Sequence, residues 1–395
     1  MTRTSAKVTK RNMICSAMLI CLAWAATLPA FAADESDAVR AIYLSAATVP
    51  TNLANIHTYA EPPKGFNPVT ATDIELATYG FPQRPDKQAD PDHYATWERA
   101  MLAAKIRWNG ELKPLHVSSQ RTVPAGSSPA PENVQPQTGP SHQSNISAAG
   151  VTLSSGRTTW SNSYSFNYVS TVVTVPSAEL PLANSKGCTA SDYLAVSLVG
   201  IDGQVWFGAN GVPFFIPEEN AGVYEDYSCS YGASYIAYAG WENSLNGLFY
   251  TNPGDLVFVV VEGFGGCNNG YTFVQDLTTY TYSSYTIPNP CSVSQIGRYA
   301  NWAVWRPCCD GPGPDGAWPL ANTVGTSFDQ AVAQIGSGKQ FFPGSQAAST
   351  QILTMRDDGS TQNIEVVNQG STGYQGQRSL YLQTWGCAYY GGCNP

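Results

Sequence analysis

Short β-rich runs broken by turn residues, no long helical period after residue 150, and an even set of cysteines behind an apolar leader predict an exported all-β protein. The expected architecture is a two-sheet antiparallel β-sandwich preceded by a partly helical N-terminal segment. The runs are Ser170 to Val175, Tyr193 to Ile201, Ala233 to Ala239, Leu256 to Val261, Tyr299 to Val304 and Ser379 to Trp385, punctuated by Gly, Pro, Asn and Asp. Asp255 to Glu262 (DLVFVVVE) is apolar on both faces and reads as a central strand covered on both sides. The sandwich domain is expected to span residues 151–395.

The leader is residues 1–32. Arg3, Lys7, Lys10 and Arg11 precede an apolar run from Met13 to Leu28, and Ala30-Phe31-Ala32 is the small-x-small pattern a signal peptidase cuts after. The run is about 16 residues, shorter than the roughly 20 a membrane-spanning helix needs. A secreted or periplasmic protein is expected, with no membrane partner once the signal is gone. Eight of the ten cysteines lie beyond the leader, an even number that suits disulfides in an oxidising compartment. Cys387 and Cys393, which close a short loop, are the expected pair, whereas neighbouring Cys308 and Cys309 are expected to reach different partners.

Residues 33–115 look helical in places. Thr72-Asp73-Ile74-Glu75 fits a capping box. Asp90-Pro91 fits a second start, with Tyr94, Trp97, Met101 and Leu102 at helical spacing through to about Trp108. The stretch is small and interrupted by proline, so it reads as a pro-segment or an accessory region packing on the main domain. Residues 116–150 turn to Ser, Pro, Gln, Asn and Gly with almost no large apolar side chain, the composition of a linker and a natural place for proteolytic release.

Charge and histidine content exclude several functions. Removing the leader leaves 16 Lys and Arg against 29 Asp and Glu, a formal charge of −13, so nucleic acid is not an expected partner. All four histidines (57, 93, 116 and 142) precede Gly150, which removes Ser-His-Asp and Cys-His systems and His-ligated zinc from the sandwich itself. No metal-ligand spacing or phosphate loop is present, and no metal or cofactor is expected. Hydrolytic chemistry here would rest on carboxylates and amides. Asp202 reads as a turn residue bonding its own backbone. Glu218, Glu219, Glu225 and Asp226 read as a solvated loop rather than a calcium site. Glu262, ending an otherwise apolar strand, is the carboxyl whose pKa burial could raise.

The chain resembles the eqolisin family of glutamic peptidases. The resemblance rests on Thr174-Val175-Pro176, Val199-Gly200-Ile201-Asp202-Gly203, Gly211-Val212, Pro253-Gly254-Asp255, Ala300-Asn301-Trp302-Ala303-Val304-Trp305-Arg306-Pro307 and Pro319-Leu320-Ala321-Asn322, in the family's order and spacing. It implies two packed antiparallel seven-stranded sheets of the jelly-roll kind seen in lectins and glucanases, with a groove on one concave face. It also implies a catalytic Glu acting as general base on water and a Gln that positions the water and stabilises the oxyanion. By the same alignment the Glu falls on Asn301 and the Gln on Ala209, so neither catalytic side chain is kept. A second motif glutamate falls on Trp305.

Three functions follow. The leading one is a pseudo-peptidase, a non-catalytic groove binding peptide or polysaccharide through Trp206, Asn210, Trp241, Asn301 and Trp302, acting as a monomer. The alternative is an acid-active endopeptidase in which Glu262 or Glu242 supplies the base, which requires such a carboxyl within hydrogen-bond reach of Asn301 or Asn210. The third, a structural component, requires Trp206 and Trp302 to be buried with no groove left.

Overall fold

The computed structural model describes residues 29–115, 141–145, 148–157, 159–180, 192–203, 205–207, 213–215, 218–241, 244–291, 294–307, 320–323, 325–344, 349–356, 363–367 and 378–384. Among the described residues, fourteen strands build the two sheets of the main domain: β1 (Ala148–Ser154), β2 (Phe166–Thr174), β3 (Asp192–Asp202), β4 (Glu218–Ser228), β5 (Gly232–Trp241), β6 (Ser244–Tyr250), β7 (Leu256–Glu262), β8 (Gly270–Asp276), β9 (Thr281–Ile287), β10 (Tyr299–Trp305), β11 (Thr326–Ile335), β12 (Ser349–Arg356), β13 (Asn363–Val367) and β14 (Leu380–Thr384). A further strand, Ser141–Asn145, from the stretch expected to be a linker, adds parallel to β12. Sheet A runs β12-β1-β10-β3-β4-β5-β6, and every neighbouring pair is antiparallel. Sheet B runs β13-β14-β11-β2-β7-β8-β9, again antiparallel throughout. β12 also pairs with β13, so the sheets join along one side. On the other side β6 ends sheet A and β9 ends sheet B.

Strand alternation divides each sheet into an inner and an outer face. Val257, Val259 and Val261 of β7 enter the core between the sheets with Val199 and Ile201 of β3, Ala237 and Trp241 of β5, and Ala300, Trp302 and Val304 of β10. Phe258 and Val260 of β7 point the other way, into a second apolar cluster. The strand predicted to be covered on both sides is therefore β7, seated between β2 and β8.

What covers its outer face is the N-terminal segment. Three helices, α1 (Pro29–Ala46), α2 (Asp73–Thr78) and α3 (Pro91–Ala103), lie in this region. Val39, Tyr43, Tyr59, Leu76, Phe81, Trp97 and Met101 pack there against Tyr168, Val172, Phe258, Val260, Tyr271, Phe273 and Tyr282 of sheet B. The capping box at Thr72 is formed in both directions, with Glu75 N donating to Thr72 Oγ1 at 3.2 Å and Thr72 N to Glu75 Oε2 at 2.8 Å. Asp90 caps α3 by accepting from His93 N at 3.1 Å, with Pro91 in the first turn. Trp97 and Met101 are buried as expected, but Leu102 is 60% exposed, since it lies about 100° round the helix from Met101.

Cys267 and Cys291 form a disulfide, and Cys229 is disulfide-bonded as well. The expected Cys387 to Cys393 pair, Cys308 and Cys309 lie outside the described residues, as does the apolar leader run. Among the described residues no helix is long and apolar enough to cross a membrane.

Because Trp97 belongs to a cluster shared by segment and sheet, its loss should weaken the whole molecule. Trp97→Ala is expected to cost about 3–5 kcal/mol, read from urea unfolding. A single transition seen alike by tryptophan fluorescence and far-ultraviolet circular dichroism would mark segment and sandwich as one cooperative unit.

Candidate functional site

The end of β3 organises the outer face of sheet A. Asp202 and Gly203 both adopt left-handed backbone, with φ of 64° and 60°, a conformation that Asp tolerates better than most residues and Gly adopts freely. The turn aims the Asp202 carboxylate into the chain entering β10. Oδ2 accepts from Ile296 N at 2.8 Å and Gly297 N at 2.9 Å, and Oδ1 from Arg298 N at 2.6 Å and Tyr299 N at 3.4 Å. Asp202 is thus not the self-bonded turn residue expected from sequence. It reaches across nearly a hundred residues, fully buried, and clamps the start of β10 to the end of β3. Burial pushes its pKa up, and the four N–H donors pull against that.

Asn301 follows in β10, directly opposite Gly200 of β3. Its Nδ2 donates to the Asp202 carbonyl, to Gly203 O at 3.0 Å and to Glu218 Oε1 at 2.9 Å. Its Oδ1 is buried and has no hydrogen-bond partner among the described residues. The Glu218 carboxyl reaches Asn301 by lying over two glycines, because a Cβ on Gly200 or on Gly203 would overlap it. Burial is the main cause that lifts the Glu218 pKa to about 8. The Asn301 hydrogen bond lowers it and the nearby Asp202 charge adds to the rise.

The register extends the site across the sheet. Asn301, Gly200, Asn220 and Gly240 lie in one row over β10, β3, β4 and β5. Ala303, Leu198, Gly222 and Tyr238 form the next row. Asn220 Oδ1 and the Tyr238 hydroxyl are also buried without partners among the described residues. Around them the outer face is apolar: Leu194, Val196, Leu198, Tyr224, Tyr238, Leu245 and Ala303, with Trp305 and Leu115 packed alongside. The face carries a buried apolar cluster that holds a carboxyl, an amide and three polar atoms without partners among the described residues.

Other sequence-predicted residues lie elsewhere. Trp302 and Trp241 are in the core between the sheets, the former donating from Nε1 to Ser170 O at 3.2 Å. The reason is the period of two: Trp302 follows Asn301 and must point to the opposite face. Glu262 ends β7 in sheet B and is buried under the N-terminal segment, where Tyr43, Tyr59, Tyr168 and Tyr271 feel its charge. Burial raises its pKa to about 7, while Arg40 and the Gln83 N–H lower it. Glu262 is thus buried on the sheet opposite to the one that carries Asn301. Glu242, Ala209 and Asn210 lie outside the described residues, and Trp206 falls in a short hairpin, Val205–Phe207 with Pro213–Phe215, described by its backbone.

The residues read as a solvated acidic loop are β4, a strand inside sheet A. Glu219 and Glu225 are fully buried, Glu225 accepting from Ser197 Oγ at 2.6 Å and Glu219 from Gln295 Nε2 at 3.3 Å. Burial, above all, holds the Glu219 pKa well above the usual range. Glu218 is the functional candidate that sequence reasoning missed. Its signal was the alternation of Ala221 and Val223 behind it, which makes a strand of an otherwise polar run.

A family model described as the peptidase A4 family matches residues 148–375, 228 of the 395. The chain belongs to that family, the eqolisins or glutamic peptidases. Its fold is similar to that of scytalido-glutamic peptidase, solved with a peptide-based transition-state analogue, at 18% identity and a TM-score of 0.43 over 61% of this chain and 98% of that one. It is likewise similar to SCP-B, an eqolisin solved with the tripeptide Ala-Ile-His, at 16% identity and a TM-score of 0.42 over 61% and 98%. A comparison with curated proteins found no match.

Glu218 titrates far above the roughly 4.5 of an unperturbed glutamate, so its contribution to stability is complete below about pH 4.5 and is lost as pH rises through about 8. Wild type and Glu218→Gln should therefore melt at similar temperatures near pH 4. Above pH 5 the wild type should fall progressively below the variant, in a thermal series from pH 4 to 9. Parallel curves would place the Glu218 pKa in the ordinary range.

Proposed function

We propose that this peptidase A4 family member uses the outer face of sheet A as a groove for an extended peptide and binds it without cleavage in the acidic and neutral range. The observation that carries the reading is the set of buried, unsatisfied polar atoms, Asn301 Oδ1, Asn220 Oδ1 and the Tyr238 hydroxyl, on an otherwise apolar face. A buried acceptor left empty costs about 1–3 kcal/mol, and the N–H groups of an extended peptide are the donors that would satisfy it. A peptide is favoured over a sugar because the chain belongs to a family of peptidases; Trp241 and Trp302, expected to bind either ligand, are in the core. Cleavage in acid is disfavoured because Glu218 keeps its proton there and cannot accept one from water. Export is part of the same reading, on the signal-like leader and the Cys267–Cys291 disulfide.

A second reading, hydrolysis, is favoured by the 2.9 Å contact between the Glu218 carboxyl and the Asn301 amide. Once ionised, Glu218 could take a proton from a water that also donates to Asn301 Oδ1. That water would attack the peptide carbonyl, and the proton would pass from Glu218 to the leaving amine. The carboxyl and the amide of the family dyad would then both be present, with the amide on β10 and the carboxyl on β4. Such activity would rise with pH through about 8 instead of appearing in acid.

Fluorescein-labelled, heat-denatured casein serves as probe for both readings. At pH 5 to 6, fluorescence anisotropy should show binding without fragments, and Asn301→Leu should weaken it about tenfold, the value of one hydrogen bond of about 1.4 kcal/mol. Fragments in acid would sink the binding reading. Turnover that grows between pH 7 and 9 and disappears in Glu218→Gln would establish the second reading. Turnover that survives in that variant would eliminate Glu218 as the base.

A further inference from the structure

We propose that residues 33–115 are a permanent partner of the sandwich: a chain cut between 116 and 147 remains a two-piece protein and does not release a pro-segment. The geometry behind this lies on the side where the sandwich is not joined by β12 and β13. His57–Thr58 adds antiparallel to β9 and Ile106–Arg107 adds parallel to it. Lys113–Pro114 then adds antiparallel to β6, the last strand of the other sheet. Residues 106–114 are therefore a strap from the edge of sheet B to the edge of sheet A. Edge strands otherwise offer rows of unpaired backbone groups.

The strap also fills the interior. Leu112 and Ile56 are buried members of the core between the sheets, with Leu53 and Trp108 packed against it. Asn52 fixes the strap by donating from Nδ2 to Leu112 O at 2.8 Å and accepting from Leu112 N at 2.8 Å. Farther along the segment, Tyr271 Oη donates to Gly80 O at 3.0 Å and Gln275 Nε2 to Ala100 O at 2.8 Å. At the far side of sheet B, Arg378, two residues before β14, holds Asp90 through its two terminal guanidinium nitrogens at 2.7 and 2.5 Å. His93 Nε2 lies 3.0 Å from Tyr168 Oη beside it. The segment thus spans sheet B from β9 to β14, and losing it would expose Tyr168, Val172, Phe258, Val260, Tyr271, Phe273 and Tyr282 together.

The segment covers the outer face of sheet B, whereas Asn301 and Glu218 lie on the outer face of sheet A. Of the segment, Leu115 at the rim touches the apolar cluster of that face. A cover that must be removed to uncover the groove is not what this segment supplies.

The test inserts a specific protease site between Ala130 and Pro131 of the full-length protein and cuts it after folding. Two bands on a denaturing gel and one native elution volume, matching the uncut protein, are expected, with separation requiring denaturant. Leu112→Ala, which opens a hole where the strap meets the core, should speed separation of the cut pieces by ~30-fold or more, while Ser45→Ala should not. Elution of the pieces apart in native buffer, whether the sandwich stays soluble or precipitates, overturns the proposal. So does equal separation in the Leu112→Ala and Ser45→Ala proteins.

Discussion

The Asp202 carboxylate is the constraint from which the site follows. Four backbone N–H groups from residues 296–299 converge on a buried carboxylate, an arrangement that compensates the loss of water by hydrogen bonds from one turn of chain. Because that chain runs straight into β10, the clamp sets where Asn301 stands relative to β3. The left-handed turn that aims the carboxylate one way also turns the carbonyls of Asp202 and Gly203 toward the Asn301 amide. Glu218 then has one place to go, over the bare backbone of Gly200 and Gly203. Clamp, turn and glycines form a single device.

The strands of the sandwich were legible in the sequence because their apolar content is high and their turns are marked by Gly, Asn and Pro. β2, β3, β5, β7, β10 and β14 all lie where β-rich runs stand. The faces were legible too, through the period of two, but that rule must be applied within a motif as well as along a strand. Asn301 and Trp302 are neighbours, so a groove that takes one cannot take the other. β4 was hidden because acidic residues occupy positions on both of its faces. Burial of Glu219 and Glu225 is a tertiary outcome, set by Gln295 and Ser197, which lie far off in sequence.

Glu262 illustrates a different limit. Its position at the end of an apolar strand allowed either a solvated or a buried carboxyl, and the carboxyl is buried. What the sequence could not announce is which cover lies over that strand end: helix α1 and the tyrosines around Tyr43 rather than solvent or substrate. The same cover brings in His93, whose burial drives its pKa down to about 4 beside Asp90 and Arg378. The two groups act in opposite senses on the docked segment. Glu262, raised to about 7, favours the folded state in acid and loses that contribution as pH rises through about 7. His93, lowered to about 4, favours it above about 6.5 and loses that contribution as pH falls toward 4.

The clamp also makes position 301 a place for an amide and a poor place for a second carboxyl. Asn301 places an N–H₂ group, two donors, against the carbonyls of Asp202 and Gly203 and the carboxyl of Glu218, all acceptors. A glutamate there would set a fourth acceptor against those three, with no proton to share unless one of the two carboxyls stays protonated. Two close carboxyls in a poorly hydrated site would drive one pKa higher still. Asn301 and Glu218 therefore suit each other: the amide on β10 donates to the carboxyl that comes from β4.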